Sequence, residues 1–238
     1  SPDSRPRLRQ NCRQSYGGAR PVECCRAERG VRRVSQYHSF DPAKGHGLPH
    51  DPIKAIIAPR PIGWISSVGA AGHVNLAPYS YFNIFSHKPP ILIFGSEGRK
   101  DSVSNIEETR EFVFNLATRD IAERMNQSSG AYPPEVDEFD KAGLTPVPSA
   151  VVAAPRVAGA AASMECKLLE IRQLLDIDGQ PVSSHLVIGQ VVRVHIRQDL
   201  LVDGMFDIVR AGTIARCGYR GDYVAVTETF EMLRPRLD

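Results

Sequence analysis

ASMECKLLEIRQLLDIDGQPVSSHLVIGQVVRVHI, residues 162–196, holds the two longest β patterns of the chain. Residues 162–177 and 185–196 are both rich in Ile, Val and Leu. The segment between them, DGQPVSS (178–184), contains the Asp, Gly, Pro and Ser that are typical of a turn. The whole stretch therefore predicts a long β-hairpin with a loop of several residues.

Outside the hairpin, short apolar runs bounded by Gly and Pro predict further strands. ILIFGS is a continuous apolar run, as in a strand buried on both faces, and Pro78 must lie at an edge or a bulge because it has no N–H for a sheet ladder. The predicted strands outside the hairpin are 61–68, 73–85, 91–96, 111–117, 213–219 and 222–233. The predicted helices are short, at about 102–110, at 119–127 and near the end of the long loop 127–143. We therefore predict a mainly β fold, an all-β barrel with short helical insertions.

Length and composition suit one domain with appendages. The chain has 238 residues, 42% of them hydrophobic, which is enough to bury a full core. No apolar run approaches about 18 residues, and the first residues lack the apolar centre of a signal peptide. We expect no membrane segment and a cytoplasmic location.

The first 36 residues differ in composition from the rest. They carry nine Arg against Asp3, Glu23 and Glu28, a charge of +6, so the remaining 202 residues sum to −4 within the net charge of +2. Their near-absence of apolar periodicity is typical of a disordered basic arm. The arm lacks the interleaved aromatic residues of a single-strand nucleic-acid binder, which favours a leader or a flexible tail over nucleic-acid binding. We expect residues 1–36 to be an extension and residues 37–238 to form the folded domain.

GRKDSVSN (98–105) raises a question of charge at the start of the first predicted helix. Asp101 is a good N-cap residue, since a carboxylate accepts the free amide protons of a first helical turn. Arg99 and Lys100 stand just before it, although a helix N-terminus already carries about half a positive charge. Two cations are badly placed there unless an anion lies between them. The stretch is therefore either a capped helix with an unfavourable charge pair or an anion site.

Side chains for acid–base hydrolysis are not evident in the sequence. It contains no nucleophile elbow, Walker loop or H-E-x-x-H motif. His185 and His195 alternate with apolar residues and fit a half-buried structural role. His46 and His50 lie in a Gly/Pro loop without a third metal ligand, so we predict no metal site.

Small polar residues cluster instead at strand ends and at the start of the predicted helix. Backbone donors point outward at such places, and Pro78 leaves neighbouring amides and carbonyls free to meet a ligand. The cluster consists of Ser66, Ser67, Asn75, Ala77, Pro78, Ser80, Tyr81, Ser96, Arg99, Lys100, Asp101 and Ser102. Two interpretations stay open: a site for a flat ligand that carries a phosphate, and a polar barrel rim whose charges are solvated.

Five stretches of the chain together resemble the flavin-reductase-like family of FMN-binding split barrels. They are APRPIGWISS (58–67), GHVNLAPYSYFN (72–83), KPPILIFGS (88–96), GRKDSVSNIEETREFVFNL (98–116) and IARCGYRGDY (214–223). Each is weak alone, and their order and spacing make the resemblance specific over residues 37–235. The resemblance implies a Greek-key split β-barrel that forms a homodimer, with FMN near the subunit interface.

The resemblance also implies roles for individual residues. Segments such as NLAPYS run along the flavin, which assigns to its ring or ribityl chain Asn75, Leu76, Ala77 and Ser80, with Ser66 and Ser67 on the adjoining strand. Segments such as S-x-x-R-K-D-S surround the phosphate, which assigns to it Ser96, Arg99, Lys100 and Ser102. Asp101 would cap the helix, Asn105 would brace the loop, and Arg60 would lie at the entrance for cofactor or nucleotide.

The implied chemistry is that of the cofactor. FMN accepts a hydride from NADH or NADPH and passes electrons on, while the protein supplies position and electrostatics. The resemblance therefore implies an NAD(P)H:flavin oxidoreductase whose reduced flavin serves an acceptor or a partner monooxygenase. A flavoredoxin-like FMN electron carrier, reduced by another protein, and a binding module without turnover stay as alternatives.

Overall fold

The computed structural model describes residues 36–236, and most of its regular elements are short strands. The strands are β1 (Arg60–Pro61), β2 (Gly63–Val68), β3 (Val74–Tyr79), β4 (Phe82–His87), β5 (Pro90–Glu97), β6 (Glu111–Leu116), β7 (Pro146–Val147), β8 (Arg156–Val157), β9 (Ala162–Leu175), β10 (Pro181–Ile196), β11 (Leu201–Val202), β12 (Met205–Phe206), β13 (Ile214–Arg216) and β14 (Tyr223–Ala225). The α-helices are α1 (Ile53–Ile56), α2 (Asp101–Thr109), α3 (Ala122–Gln127), α4 (Glu138–Lys141) and α5 (Ile208–Ala211), and 3-10 turns occupy Pro42–Lys44, Arg119–Ile121 and Gln198–Leu200. Within this part of the chain, every helix is too short or too polar to cross a membrane.

Contacts divide the chain into two units, Ser1–Lys44 and Gly45–Asp238. Of the first unit only Gln36–Lys44 are described, and in their 3-10 turn Lys44 lies 3.2 Å from the carboxylate of Asp41. The predicted basic extension, residues 1–36, lies outside the described residues except for Gln36. The predicted domain start at residue 37 stays a prediction.

Seven antiparallel strands of the second unit form the main sheet, in the order β3-β2-β6-β9-β10-β5-β4. β9 and β10 are its longest strands and pair with each other, which confirms the predicted hairpin. β10 begins at Pro181 rather than at residue 185, because the turn is tighter than predicted. The Asp176 carboxylate shapes this turn by accepting hydrogen bonds from the N–H groups of Asp178 at 3.0 Å and Gln180 at 2.8 Å.

Neighbouring residues of β2 pack into two different cores, one on each face of the sheet. Ile65 joins a cluster with Phe112 that α2 covers, and Trp64 joins a cluster with Phe139 that α3 and α4 cover. The period-2 alternation of a strand explains the division. The Phe112 ring also requires Gly189 of β10, where an added Cβ would lie 2.4 Å from the ring.

Several strand predictions outside the hairpin can be compared directly with the structure. Pro78 lies in β3, an edge strand of the main sheet, as its missing N–H requires. The strand predicted over 222–233 is wrong for most of its length, since β14 covers only Tyr223–Ala225 and residues 226–236 have no regular structure. This stretch alternates apolar and polar residues, but beyond Ala225 no neighbouring strand of the described chain pairs with it, and Phe230 is 84% exposed.

Candidate functional site

A cavity of about 510 Å³ lies where β3, β5 and the first turn of α2 meet the loop 128–134. The residues assigned to the site from the sequence that line this cavity are Asn75, Ala77, Ser80, Lys100 and Asp101. Its volume is within the range of about 300–1,000 Å³ that is common for cofactor pockets. The structure thus brings together the two predicted parts of the site, the β3 segment and the start of the helix.

Asn75 connects β3 to the start of α2. Its side-chain amide lies 2.7 Å from the Ser102 hydroxyl and, with the nitrogen toward α4, 3.2 Å from Glu138. In this orientation the amide oxygen accepts from Ser102 and the nitrogen donates to the Glu138 carboxylate, so both ends have a partner. The other Glu138 oxygen accepts from the Leu76 N–H at 3.1 Å. Asn75, Leu76 and Ser102, which the resemblance assigns to the cofactor, are therefore also linked to one another through protein contacts.

Tyr79, the last residue of β3, carries a buried hydroxyl at the cavity wall. The residue is 7% exposed, and its ring packs on that of Phe94 with 4.7 Å between centroids. The hydroxyls of Ser102 and Ser96 lie near, but the Tyr79 hydroxyl makes no hydrogen bond of normal geometry with the described residues. Burial raises the pKa of the phenol, while the two serines act in the opposite direction, so Tyr79 remains a neutral donor. An unpaired buried hydroxyl costs about 1–3 kcal/mol, which a ligand in the cavity would offset.

The start of α2 has no side-chain cap. Lys100, with extended backbone, is the N-cap residue and Asp101 is the first helical residue, so the prediction that Asp101 caps the helix is wrong. The physical reason is position, because the cap contact belongs to the residue before the first turn and Lys100 has no acceptor atom to make it. The first amides of α2 therefore keep their partial positive charge beside the Lys100 ammonium. Lys100 lines the cavity, so this end of α2 suits an anion, and the Asp101 carboxylate in the same wall acts against this positive charge.

Of the four residues assigned to a phosphate, only Lys100 lines the cavity. Arg99 forms an ion pair with Glu107 of α2, and both side chains are about half exposed. Ser96 is fully buried and donates to the carbonyl of Gly98 at 2.8 Å, which holds the turn before α2. Ser102 is hydrogen-bonded to Asn75. The positive charge at this end of the cavity therefore comes from Lys100 and the helix itself.

Ser66, Ser67 and Asn105 lie outside the cavity wall. The Ser66 hydroxyl donates to the Pro155 carbonyl at 2.5 Å, and the Asn105 amide donates to the Ser67 hydroxyl at 3.3 Å. Both serines are fully buried, because β2 is an inner strand of the main sheet and its side chains enter the cores. Their assignment to a flavin, and that of Asn105, stays a prediction.

Lys54 and Glu97 are two charged residues of the cavity wall that the sequence did not reveal, and Glu138 is a third. The Tyr81 hydroxyl donates to Glu97 at 3.3 Å, and the Lys54 ammonium lies 3.7 Å from Glu97 and 5.6 Å from the centroid of the Tyr81 ring. Contact with Tyr81, and then with Glu97, raises the pKa of Lys54. Lys54 belongs to the four-residue α1, which is too short to produce a periodic signal in the sequence.

The loop 127–143 supplies the other part of the wall that sequence reasoning missed. It contributes Ser128, Tyr132 and Glu138 to the cavity. The indole N–H of Trp64, the only tryptophan of the chain, donates to the Ser128 hydroxyl at 3.0 Å. A signal was present in the length of this loop, since loops longer than about 12–15 residues are uncommon in compact domains and often functional.

Arg60 has a structural position, away from the cavity wall. Its guanidinium donates to the carbonyls of Lys54 at 2.5 Å, Ile57 at 2.6 Å and Cys217 at 3.2 Å. The residue is buried and ties the α1 segment to the end of β13. Its suggested role at an entrance stays a prediction that these contacts do not favour.

The charges around the cavity divide into a paired and an unpaired set. Lys54 lies beside Glu97, whereas Lys100 forms no ion pair with any described residue. Burial raises the pKa of Glu138, the nearby Asp101 adds to this effect, and the Leu76 N–H opposes it. Within residues 36–236, no three His, Cys, Asp or Glu side chains come together as metal ligands. The wall therefore suits a ligand with one anionic end and polar groups along the rest.

Known proteins share both the sequence pattern and the fold. The model of the flavin reductase like domain matches residues 57–209, more than half of the chain. An uncharacterized protein of Halalkalibacterium halodurans is 36% identical over 187 residues, which cover 76% of this chain and 88% of that protein.

Solved structures give the same result. Component B of nitrilotriacetate monooxygenase from Bacillus cereus is 31% identical, with a TM-score of 0.76, over 84% of this chain and all (100%) of that one. A split-barrel protein of Shewanella frigidimarina superimposes with a TM-score of 0.69 at 24% identity, over 77% of this chain and 90% of that one. The predicted mainly β split barrel with short helical insertions is thereby confirmed. The chain belongs to the flavin reductase like family of flavin-binding split-barrel proteins.

Proposed function

We propose that this chain binds FMN in the cavity between β3 and the start of α2 and transfers a hydride to it from NADH or NADPH. The observation that carries the proposal is that one cavity holds both the N-terminus of α2 and the Tyr79 hydroxyl, and that the described residues neither cap the first nor hydrogen-bond the second. The first attracts a phosphate and the second requires a hydrogen-bond acceptor. Membership of the flavin reductase like family supports the identity of the ligand.

The residues present fit this cofactor. Lys100 and the N–H groups of Asp101 and Ser102 would hold the phosphate, since Lys100 forms no ion pair with a described residue and no described side chain caps the start of α2. The Val103 N–H is already engaged, because it donates to the Lys100 carbonyl at 2.9 Å. The Tyr79 hydroxyl would donate to a polar atom of the ligand, and its high pKa keeps the proton on it. Asn75 and Glu138 hold the β3 backbone in place through the Leu76 N–H, so this wall is rigid before the ligand arrives.

The bound flavin would supply the redox chemistry, which is hydride acceptance from a reduced nicotinamide and electron transfer onward. The protein's part is to bind and orient. Ala77 in β3 and Ser80 just after it leave space along this wall, because both side chains are small. The loop 128–134 supplies a further part of the wall and would limit the access of water.

The reduced flavin would then serve a second protein. Component B of nitrilotriacetate monooxygenase, at 31% identity, supports a partner monooxygenase as the acceptor. An electron carrier reduced by another protein would use the same cavity, and the two functions differ in whether NADH or NADPH reduces the bound flavin directly.

We propose in addition that the chain works as a homodimer. Edge strand β4 exposes Ile84 by 51% and Phe85 by 65%, and its outer edge forms no ladder within the described residues. Exposed apolar edges of this kind favour association, and a second copy would cover this one. Light scattering after gel filtration should give twice the chain mass. A single-chain mass at micromolar concentration would contradict the dimer.

Two measurements test the cofactor and the donor separately. Trp64 contacts Ser128 of the cavity wall, so titration with FMN should quench its emission in a saturable way. NADH or NADPH oxidation should then be measured with and without added free flavin, which separates an enzyme with resident FMN from one that uses flavin as a substrate. Unchanged Trp64 emission together with no FMN retained on gel filtration would overturn the proposal.

A further inference from the structure

A second cavity, also of about 510 Å³, opens beside the candidate flavin cavity. The two share three wall residues, Pro78, Ser80 and Ser129. Another wall of the second cavity comes from IARCGYRGDY (214–223), a motif that does not line the first cavity. Any molecule that reacts with a ligand in the first cavity could therefore extend into the second without leaving the surface.

Arg216 is held in a fixed position on this wall. One of its terminal nitrogens, Nη1, donates to the carbonyls of Tyr219 at 3.2 Å and Asp222 at 2.9 Å. Its guanidinium carbon lies 4.8 Å from the centroid of the Tyr223 ring. Carbonyls and a ring fix the plane of the guanidinium without neutralising its charge, so Arg216 is a preorganised cation.

Arg220 lies on the same wall of the second cavity. Among residues 36–236 it makes no hydrogen bond, ion pair or ring contact. The residues that line this cavity include two arginines and no Asp or Glu. The second cavity is therefore positively charged, in contrast to the mixed charges of the first.

The turn that presents both arginines has a defined shape. The Cys217 N–H donates to the Asp222 carbonyl at 2.9 Å, and the Arg60 guanidinium donates to the Cys217 carbonyl at 3.2 Å. Gly218 packs so tightly on Ala55 that an added Cβ would lie 2.4 Å from the Ala55 Cβ. A turn fixed by these contacts can hold charged side chains ready for a ligand at a low entropic cost.

We propose that Arg216 and Arg220 bind the phosphate groups of the nicotinamide dinucleotide that delivers the hydride. This inference rests on the proposed function, since it takes the flavin to lie in the first cavity. The nicotinamide would reach the flavin across the shared wall at Pro78 and Ser80, and the phosphates would follow into the basic cavity. Arginine suits this role because its planar fork matches phosphate oxygens in a bidentate way.

The test measures binding of oxidised dinucleotides, which cannot react, to the FMN-loaded protein by titration calorimetry. Arg220→Gln should raise the Kd of NADP⁺ or NAD⁺ by about 10- to 100-fold, the loss expected for a charge-assisted contact. Arg220→Lys keeps the charge but loses the planar fork of the guanidinium, so its Kd should lie between those of the wild type and Arg220→Gln. The control is Arg193→Gln, which removes an exposed charge from β10, a strand that contributes nothing to either of these cavities.

The dinucleotides distinguish the phosphates. Equal weakening of NAD⁺ and NADP⁺ assigns the arginines to the shared pyrophosphate, and weakening of NADP⁺ alone assigns them to its 2′-phosphate. Nicotinamide riboside, which has no phosphate, should bind the wild type and Arg220→Gln equally.

Three outcomes would overturn the inference in different ways. Unchanged dinucleotide affinity in Arg220→Gln, with FMN retained, rejects the arginine site but leaves the proposed function intact. If Arg220→Gln loses more affinity for FMN than for riboflavin, relative to the wild type, the arginines hold the flavin phosphate instead. A wild type that binds FMN but no dinucleotide rejects both this site and the proposed hydride donor.

Discussion

The side-chain amide of Asn75 on β3 lies 2.7 Å from the hydroxyl of Ser102 in the first turn of α2. The two residues stand 27 positions apart and are both buried. This hydrogen bond joins the strand that forms one wall of the cavity to the helix whose N-terminus forms its positively charged end. A change on either side should therefore affect both parts of the site.

Lys100 should govern recognition of the FMN phosphate, and Arg99 should not. Lys100→Gln is expected to raise the Kd of FMN by roughly tenfold, about 1.4 kcal/mol, and to leave that of riboflavin unchanged. Arg99→Gln is the matched control, because its side chain is engaged with Glu107 outside the cavity wall. Trp64 emission measures both titrations. Equal losses for FMN and riboflavin, or a larger effect at Arg99, would refute the assignment.

Tyr79→Phe should act in opposite directions on the empty and the loaded protein. Without ligand, the variant loses an unpaired buried hydroxyl, so its free energy of unfolding should stay equal or rise by up to about 1 kcal/mol. With FMN, it loses a donor, so the affinity should fall by about tenfold. Urea unfolding with and without FMN measures both. A clear loss of stability in the ligand-free variant would show that the hydroxyl already has a partner in the protein.

Glu138→Gln should change how stability depends on pH. Burial is the main cause of the raised pKa of Glu138. The folded protein therefore binds the carboxyl proton of Glu138 more tightly than the unfolded chain, in which the pKa is 4.5. Ionisation of Glu138 therefore opposes folding, and wild-type stability should fall relative to the variant as pH rises from 4.5 through the folded pKa.

The difference in unfolding free energy between Glu138→Gln and wild type, measured across this pH range, checks the sign. Glu135→Gln alters an exposed carboxylate three residues earlier and serves as the control. The unfolding free energy of Glu138→Gln minus that of the wild type should increase as the pH rises. A decrease would show that ionised Glu138 does not oppose folding.

Substitution of the Glu165 carboxylate should strongly reduce the free energy of unfolding. It is fully buried and accepts from the N–H groups of Ala150 at 2.8 Å and Val151 at 2.7 Å, and from His195 Nε2 at 2.6 Å. Burial alone would raise its pKa, but these hydrogen bonds together lower it. The ionised Glu165 therefore stabilises the fold fully above pH 4.5, the pKa in the unfolded chain. This stabilisation is lost as the pH falls through the lower pKa of the folded protein.

Glu165→Gln should reduce the free energy of unfolding by about 1–3 kcal/mol. The amide nitrogen of glutamine is a donor, so the N–H groups that faced that carboxylate oxygen would lose their acceptor. Glu170→Gln, which removes an exposed partner of Arg172, should change it by less than about 0.5 kcal/mol. Urea titrations at neutral pH give both values. Similar losses of unfolding free energy in the two variants would show that the buried contacts of Glu165 stabilise the fold no more than an exposed ion pair does.

Local patterns predicted the parts of the molecule that depend on local chemistry. The hairpin of β9 and β10, the edge position of Pro78 and the short helix α2 all follow from spacing, turn residues and the missing proline N–H. Asn75, Ala77, Ser80, Lys100 and Asp101 could be found because they lie in two short motifs whose strand and helix ends meet.

Tertiary contacts decided what the sequence could not predict. Glu138 reaches Leu76 from a helix 62 residues further along the chain, and no local pattern encodes that contact. Ser66 and Ser67 have the small polar side chains of a ligand site, but their inner strand buries them. The alternation over 222–233 imitates a strand, and only a neighbouring strand could have made it one.

The most direct test of the central claim is rapid anaerobic mixing of the FMN-loaded protein with NADH or NADPH, followed at the visible flavin band. We expect the band to bleach in a single turnover with at least one of the two donors. Lys100→Gln, once saturated with FMN, should bleach at the same rate, because Lys100 binds and does not react. A band that stays unchanged with both donors would contradict hydride transfer at this site.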